Sequence, residues 1–464
     1  MRIGRNNRHF WLFLIVNACL LCTAAFYNQY PLVFSDTGTY IIYGEQLRVP
    51  GDRPALYGLF LRWTSLGMST WLTVFCQSLL TAFLIMDLAG CFIRRYNYLK
   101  ASLLITFILS VFSAVSWFTS QLMPDIFTAL LLMSFILLLL KPKLSASDIL
   151  VYTGITVLAI GSHLSNLFIA LAFVAGFVVF RYKYILALYL KRLACLCGML
   201  LLAYVSVFVT NYILEKKAFY SKGGNVFLVG RLLDTGILED YLRCNCPQKP
   251  LQLCKYKDTL PDNSRKLHFD VNSPVNREGG WQAVEAEYGF IAKDALTKPR
   301  YLLLFLKESV TGCLSMVFQN ETGWGMVSDW YKDPGSPPYR AIHDYHYSEL
   351  HSYLNSRQNK TLFGQGLEMN FFNVANWLLT MLSYFLLLVL LVSRSVPRDG
   401  RYFLIVMTAI GVLMNDLVTS SLAYTIDRYH TRVSWLLPAA FIIAYFDLFA
   451  DRVKGVFNKV QRPD

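Results

Sequence analysis

Long apolar runs alternate with short basic tracts along most of this chain. Each run is close to the ~17 to 25 residues that a helix needs to cross the hydrocarbon core of a bilayer. Ten such runs lie at about 10 to 27, 71 to 92, 101 to 118, 124 to 140, 148 to 162, 164 to 180, 193 to 214, 375 to 393, 402 to 422 and 433 to 450. The pattern predicts an all-α polytopic membrane protein with about ten transmembrane helices.

Lysine and arginine in the tracts between the runs predict the orientation, because cytoplasmic loops carry an excess of these residues. The basic tracts all fall on one side of the membrane if the ten helices alternate in direction. We therefore expect both termini to be cytoplasmic. The tracts contain Arg2, Arg5 and Arg8; Arg94, Arg95 and Lys100; Lys141 and Lys143; Arg181, Lys183, Lys191 and Arg192; Arg394, Arg398 and Arg401; and Arg452, Lys454, Lys459 and Arg462.

The composition agrees with this topology. Of the 464 residues, 55% are hydrophobic and only 16% are charged, which is too much apolar surface for one soluble core. The formal net charge is +13. Membrane topology explains this charge, so no nucleic-acid partner is expected. The basic start resembles a signal peptide, but no small-residue cleavage site follows the first run, which favours a retained span.

One apolar segment, residues 301–318, is not counted as a span. A membrane position would place Lys307 and Glu308 near mid-bilayer and would reverse the helices that follow. The segment is predicted to be an interfacial helix of an external, mostly helical or irregular domain. The predicted parts are a membrane module of seven spans at 1–214 with an external loop at 28–70, the external domain at 215–374, and a module of three spans with a cytoplasmic tail at 375–464.

The ten cysteines form two groups. Cys244, Cys246 and Cys254 lie in the external domain, where the compartment permits disulfides. We predict a bridge between Cys246 and Cys254, with Cys244 either free or paired with Cys313. A zinc site is the alternative, although no histidine is adjacent. The cysteines within apolar runs are expected to be small core residues, and they are Cys19, Cys22, Cys76, Cys91, Cys195 and Cys197.

Charged residues stand directly after the first apolar run, in the stretch 34–57. Asp36 comes first, and Asp52 and Arg53 lead into an amphipathic stretch suited to the membrane interface. We predict that Asp36 is catalytic, because a carboxylate in a partly desolvated cleft gains basicity. The alternative is that Asp36 only caps the N-terminus of a helix.

Further polar residues emerge on the same predicted membrane face. Asp125 follows Pro124 at the start of an inbound helix, a position that is also ordinary helix-start chemistry. Asp36 and Asp125 could share a divalent cation, Mg or Mn, or divide base and phosphate-orienting roles. His163 and Asn166 occupy another outer turn, where they either line a substrate cleft or satisfy helix ends.

Basic residues also crowd the last outer connection, against the bias that disfavours arginine outside. Arg428, His430 and Arg432 lie within five residues of one another. A guanidinium can hold a phosphate through two parallel hydrogen bonds, so these residues are predicted to bind a lipid-linked phosphate. The alternative is an exposed ion pair with Asp427.

Several short sequences occur in a recognisable order: Asp36 after the first span, Arg53-Pro54-Ala55-Leu56-Tyr57, Met123-Pro124-Asp125, and Arg428-Tyr429 before Pro438. In this order the chain resembles the GT-C membrane glycosyltransferases, which include the protein O-mannosyltransferases and the aminoarabinose transferases of lipid A. The resemblance covers the N-terminal half and parts of the last two spans. The chain differs in having a single Asp where some members have an adjacent acidic pair.

The resemblance implies an enzyme that moves a sugar or sugar-like group, with inversion, from a polyprenyl-phosphate carrier to an acceptor outside the cytoplasm. It implies a bacterial inner membrane protein whose active site faces the periplasm. The implied roles are base or metal partner for Asp36, second acid for Asp125, and donor phosphate ligands for Arg53 and Arg428. Besides these, we predict that Arg432 and His430 also bind the donor phosphate and that the substrate cleft is lined by Tyr40, Tyr57, His163 and Asn166.

Two other classes of function remain open at this point. A lipid or polysaccharide transporter or flippase would need ionisable residues deep in several spans. Asp87 and Asp416 are the main deep acids, and no opposing chain of charges accompanies them in the sequence, which favours an enzyme. A surface-polysaccharide polymerase or ligase would use the outer arginines and a lipid carrier without requiring Asp36.

Overall fold

The computed structural model describes residues 8–181, 187–246, 248–360, 366–393 and 396–460. These residues form α-helices joined by turns and short 3-10 helices, and no β-strand occurs among them. The fold is therefore all-α, in agreement with the hydropathy pattern. Five of the basic positions that predict the orientation lie outside the described residues, namely Arg2, Arg5, Lys183, Arg394 and Arg462.

The helices fall into three groups along the chain. The N-terminal group is α1 (Arg8–Leu21), α2 (Thr23–Asn28), α3 (Thr37–Gln46), α4 (Leu56–Ser65), α5 (Thr70–Phe92), α6 (Tyr98–Phe112), α7 (Val115–Thr119), α8 (Ile126–Leu140), α9 (Ala146–Ile160), α10 (Ser165–Arg181) and α11 (Ala187–Glu215). The middle group is α12 (Gly224–Asp234), α13 (Ile237–Asn245), α14 (Ser264–Phe269), α15 (Pro274–Arg277), α16 (Trp281–Leu296), α17 (Pro299–Met316), α18 (Pro337–Tyr345) and α19 (Leu350–Leu354). The C-terminal group is α20 (Asn370–Val392), α21 (Gly400–Leu422), α22 (Asp427–Ser434) and α23 (Leu436–Val460).

Half of the predicted spans are long enough to cross a membrane. Among the described residues, five helices meet this criterion in length and composition: Thr70–Phe92, Tyr189–Glu215, Asn370–Val392, Gly400–Leu422 and Asp427–Arg452. The other predicted spans lie on apolar helices of 10–17 residues, which are Arg8–Leu21, Tyr98–Phe112, Ile126–Leu140, Ala146–Ile160 and Ser165–Phe180. The chain is a helical protein of membrane type, and the number of ten spans stays a prediction.

Helix α8 lies at the centre of the main hydrophobic core. Every residue from Ile126 to Leu139 is buried, and the helix contains no charged residue. A helix that is apolar on all sides is stable only when other helices surround it. Helices α5, α9, α11, α21 and α22 supply that packing. The charged residues just outside the ends of α8, Asp125 and Lys141, are therefore brought into buried surroundings.

The middle group of helices packs in two ways. Residues of α12, α13 and α16 form a separate hydrophobic core that includes Val226, Tyr241 and Tyr288. By contrast, Ala341 and Tyr353 of α18 and α19 belong to the main core. The segment from α18 to α19 thus lies directly on the membrane part, whereas α12 to α16 form their own packing unit.

The segment predicted to be interfacial forms helix α17. One face packs on α21, where the Ser420 hydroxyl donates a 2.9 Å hydrogen bond to the Ser309 carbonyl. The other face exposes Leu303, Leu306 and Val310. Exposed apolar residues three and four positions apart form the stripe that an interfacial helix requires. Contact of this stripe with lipid stays a prediction.

The external cysteines adopt one of the predicted arrangements. Cys246 and Cys254 form a disulfide, with their Cα atoms 5.6 Å apart. Cys244 is an exposed free thiol, and Cys313 is a buried free thiol whose Sγ lies 3.7 Å from the Leu413 carbonyl. Of the two options for Cys244, the structure has the free thiol.

Candidate functional site

Two acids and three arginines from distant parts of the chain meet at one point, which we call the outer cluster. Its members are Asp36, Arg53, Asp125, Arg428 and Arg432. Asp36 Oδ2 lies 3.1 Å from Arg53 Nη1 and 3.7 Å from Arg428 Nη1. Asp125 Oδ2 accepts hydrogen bonds from Arg428 Nη2 at 2.7 Å and Nε at 3.3 Å. Arg428 therefore connects the two acids.

Backbone pairing brings the two acids to the same place. The Leu32 N–H donates to the Ser120 carbonyl at 2.9 Å, and the Leu122 N–H donates to the Leu32 carbonyl at 2.9 Å. The Thr37 hydroxyl then donates to the Leu122 carbonyl at 3.1 Å. This short parallel pairing holds the segment before Asp36 against the segment before Asp125.

Helix capping does not account for either acid. Asp36 precedes α3 and Asp125 precedes α8, but neither side chain accepts a capping hydrogen bond from its helix. An N-cap carboxylate normally accepts from the backbone two or three residues later. Both carboxylates instead face guanidinium groups, so their side chains are committed to the outer cluster.

The position of each residue around helix α22 determines whether its side chain reaches the outer cluster. Arg428 and Arg432 are four residues apart and share one face of the helix. Arg432 Nη1 lies 3.5 Å from Asp125 Oδ1. His430 is two residues from each and lies on another face, where its Nδ1 lies 2.8 Å from Asp416 Oδ2. The structure therefore brings the two predicted arginines together and leaves His430 outside the outer cluster.

Exposure distinguishes the members of the cluster. The Asp36 side chain is 27% exposed and that of Arg53 is 11% exposed. Arg428 is 9% exposed, whereas Asp125 and Arg432 are fully buried. Asp36 is thus the carboxylate that a ligand can reach, with the guanidinium groups of Arg53 and Arg428 beside it. The buried position of Arg432 argues against the predicted direct contact with a phosphate.

Arg53 is held by two acids and an aromatic ring. It forms ion pairs with Asp36 and with its neighbour Asp52. Its guanidinium lies over the Tyr40 ring, 5.2 Å from the centroid, which favours a cation. The predicted cleft residue Tyr40 is therefore buried beneath Arg53 and supports it. Asp52, the residue before Arg53, is therefore a direct partner of the cluster.

The electrostatic surroundings of Asp36 differ from those predicted. Burial raises the pKa of its carboxyl, but the charges of Arg53 and Arg428 outweigh burial and hold the pKa below its usual value. The prediction that desolvation increases the basicity of Asp36 is therefore wrong, because two guanidinium groups offset desolvation. Asp36 is ionised at neutral pH and ready to accept a proton or orient a hydroxyl.

His163 contacts the buried side of the cluster. Its Nε2 lies 3.4 Å from Arg432 Nη1, and its Nδ1 lies 2.9 Å from the Ser165 hydroxyl. Burial and the charge of Arg432 lower the pKa of His163 to about 3. The imidazole is therefore neutral at physiological pH and adds no further positive charge.

Two other predicted cleft residues serve packing between helices. The Asn166 amide donates to the Ala159 carbonyl at 2.8 Å, and its Oδ1 accepts from the Thr128 hydroxyl at 2.8 Å. The Tyr57 hydroxyl donates to Gln77 Oε1 at 2.7 Å within the core. Both side chains are fully buried with their polar atoms engaged. The placement of Asn166 fits the alternative prediction for its turn, that polar groups there satisfy helix ends.

The predicted cation site of Asp36 and Asp125 does not fit the arrangement of donors. A guanidinium contacts both carboxylates, so positive charge already occupies the position that a shared metal would need. Within the described part of the chain, no group of three His, Cys, Asp or Glu side chains is arranged to hold a metal ion. We derive no reaction step through Mg or Mn.

Sequence reasoning missed two residues that hold the arginines. The Arg428 guanidinium lies over the Phe34 ring, 4.2 Å from the centroid. Asn415 Oδ1 accepts hydrogen bonds from Arg432 Nη2 at 2.9 Å and from Nε at 3.2 Å. The available signal was a pair of polar residues, Asn415 and Asp416, inside an otherwise apolar run.

Comparison with known proteins does not place this chain. No protein-family model, no curated protein and no solved structure matches it. The functional interpretation therefore depends on the geometry and charges of the outer cluster, and the likeness to the GT-C enzymes stays a proposal.

Proposed function

We propose that this chain is an integral membrane glycosyltransferase. It would move a sugar, or a sugar-like group, from a polyprenyl-phosphate carrier to an acceptor on the extracytoplasmic side. The observation that supports the proposal most directly is the accessible, ionised carboxylate of Asp36 between the guanidinium groups of Arg53 and Arg428. An acid beside two arginines offers a base for a hydroxyl and donors for a phosphate.

The reaction would be a single displacement. Asp36 accepts the proton of the acceptor hydroxyl as its oxygen bonds to the anomeric carbon of the sugar. The bond between that carbon and the phosphate oxygen breaks, and the lipid phosphate leaves with the electron pair. Arg53 and Arg428 stabilise the negative charge that develops on this phosphate. Attack from the face opposite the leaving group inverts the configuration of the anomeric carbon.

Arg428 has a donor group available for such a phosphate. Its Nε and Nη2 donate to Asp125, which fixes the orientation of the guanidinium. Its Nη1 faces Asp36 at 3.7 Å, beyond ordinary hydrogen-bond distance. A phosphate oxygen between Nη1 and Arg53 would make shorter contacts, and Asp36 would then turn towards the acceptor hydroxyl.

The proposed topology puts the outer cluster at the external membrane surface. With ten spans and cytoplasmic termini, α3, the start of α8 and α22 would all lie on the periplasmic side of a bacterial inner membrane. A lipid carrier would present its phosphate at that level, with its hydrocarbon chain in the bilayer. The acceptor, a glycan, lipid or protein, would approach from the side of the external helices.

The contacts of the deep acids bear on the transporter alternative. In the structure Asp87 pairs with Lys141 at 2.6 Å, and Asp416 contacts His430. The two contacts share no residue. Buried ionic contacts of this kind stabilise helix packing, whereas a transport path needs a series of ionisable groups that a substrate can reach. These contacts favour the enzyme.

Replacement of Asp36 by Asn tests the proposal. The purified protein would be reconstituted in vesicles with undecaprenyl-phosphate-linked sugars, and the release of undecaprenyl phosphate would be measured. Loss of a general base predicts a rate about 10²- to 10⁴-fold lower for Asp36→Asn. Asp262→Asn, which changes an exposed acid of the external part, is the matched control. Full transfer by Asp36→Asn would reject the assignment and favour a polymerase or ligase.

A further inference from the structure

A fully buried asparagine connects the outer cluster to the interior of α21. Asn415 Oδ1 accepts the two hydrogen bonds from Arg432, at 2.9 and 3.2 Å. Its Nδ2 donates to Asp416 Oδ1 at 2.9 Å and to the Tyr429 carbonyl at 2.7 Å. Both ends of the amide are engaged, so the side chain has one favourable orientation and holds its partners in a fixed arrangement.

Arg432 depends on Asn415 for its short hydrogen bonds. Its contacts with Asp125 Oδ1 and His163 Nε2 are 3.5 and 3.4 Å long, beyond the usual range for hydrogen bonds from nitrogen. The two bonds to Asn415 are shorter, and they fix the plane of the guanidinium. A buried cation without fixed partners is costly, so this amide determines where Arg432 points.

We propose that Asn415 is a positioning residue for the lipid-phosphate site and that it acts through Arg432. This inference rests on the proposed function. Asn415 orients Arg432 towards Asp125. Asp125 accepts two hydrogen bonds from Arg428 and so fixes its guanidinium, which leaves Arg428 Nη1 beside Asp36. Neither Asn415 nor Arg432 touches the substrate, because both are fully buried.

Binding of undecaprenyl phosphate to the full-length protein in lipid nanodiscs tests this role. Asn415→Leu removes both hydrogen bonds to Arg432 and should weaken binding about tenfold. Asn415→Asp keeps an acceptor for Arg432 but replaces the amide donor beside Asp416 by a second carboxylate oxygen, so affinity should fall less than in Asn415→Leu without returning to the wild-type value. Equal loss in both variants would overturn the route through Arg432 and assign the effect to Asp416 or to the Tyr429 backbone.

Asn376→Leu is the matched control for the burial of an asparagine. Asn376 is also fully buried in a long apolar helix, and it bonds only to backbone groups of Ala114 and Asn320 among the described residues. Affinity is measured well below the unfolding temperature of each variant, so lost stability alone leaves it unchanged. Unchanged affinity in Asn415→Leu, or an equal loss in Asn376→Leu, would overturn the proposal.

A double substitution tests whether Asn415 acts through Arg432, and it does so without leaving the Arg432 guanidinium buried and lacking its Asn415 partner. If Asn415 acts through Arg432, Arg432→Met and the double variant Arg432→Met with Asn415→Leu should bind undecaprenyl phosphate equally, within about twofold. A further loss in the double variant would overturn the proposal. Failure of the proposed function looks different, because wild type and Arg428→Met would then bind the probe equally or not at all.

Discussion

Ionic clusters lie at both ends of the buried helix α8, and they are built differently. The outer cluster adjoins the N-terminal end at Asp125. The inner cluster adjoins the C-terminal end and consists of Asp87, Lys141, Asp148 and Tyr152. An acid at the N-terminus and a cation at the C-terminus both suit the dipole of the helix. The same electrostatic rule thus applies at both ends, but the hydrogen-bonding patterns differ.

The inner cluster has its cation fully engaged. Lys141 Nζ bonds to the two oxygens of Asp87 at 2.6 and 2.8 Å and to Asp148 at 2.9 Å, which uses its three N–H donors. The Arg192 guanidinium donates to the carbonyls of Leu139 and Lys141 at the end of α8. These bonds satisfy carbonyl groups at the C-terminal end of α8 and attach α5, α9 and α11 to that end.

The outer cluster has unused hydrogen-bonding capacity. Asp125 Oδ1 is buried without a hydrogen-bond partner within the described structure, and Arg428 Nη1 is 3.7 Å from its nearest acid. Asp36 is also the most exposed carboxylate of either cluster. A saturated cluster stabilises the fold, whereas an accessible, unsaturated cluster is suited to binding and chemistry. Each prediction below tests this distinction.

Loss of the inner cation should have the largest effect on stability. Lys141→Met would remove the cation beside the half-buried Asp87 and the buried Asp148, which costs about 3 to 5 kcal/mol of unfolding free energy. Denaturant unfolding in detergent measures the loss, and Lys143→Met, at an exposed neighbour, is the control. The transfer rate per folded molecule should be unchanged. A lower rate per folded molecule would show that the inner cluster also contributes to function.

A substitution in the outer cluster that keeps the charge should have a smaller effect on stability and should act mainly on the reaction. Arg428→Lys keeps the positive charge but loses the two-point contact with Asp125 and the fixed direction of Nη1. We expect transfer to fall about 10- to 100-fold while the unfolding free energy changes by less than about 1 kcal/mol. Arg62→Lys, in the exposed ion pair with Glu45, should leave transfer unchanged. Normal transfer by Arg428→Lys would remove Arg428 from the phosphate site.

Patterns along the chain predicted part of this picture. The alternation of apolar runs and basic tracts places Asp36, Asp125 and Arg428 on one membrane face, and the structure brings these three side chains together. The periodicity of α22 could also have separated His430 from Arg428 and Arg432, because residues two apart point in different directions. Proximity in sequence was therefore a poorer guide than position on the helix.

Other features depend on tertiary contacts that no local pattern specifies. Lys141 looks like a topology marker in the sequence, yet it folds back onto Asp87, 54 residues earlier in the chain. Asn415 looks like an isolated polar residue in an apolar run, and its role follows only from the packing of α21 against α22. The poor fit of the outer cluster to a shared metal likewise depends on Arg428 reaching both acids.

The pH dependence of transfer gives the smallest and most specific test of the outer cluster. Arg53 and Arg428 lower the pKa of Asp36, while burial and Asp125 raise it. With a lowered pKa, the contribution of ionised Asp36 to stability is present above the ordinary carboxyl pKa and is lost as the pH falls through the lowered value. Wild-type transfer should thus vary less than about twofold between pH 5 and pH 7.

In Arg53→Met, one of the two charges that lower the pKa of Asp36 is removed, so burial raises that pKa further. The pH below which the transfer rate falls, the acid limb of the rate, should therefore move to higher pH. Arg62→Met removes an equal charge from the following helix α4 without touching Asp36 and should leave the limb in place. If the limb moved equally in both variants, the titrating group would not be Asp36.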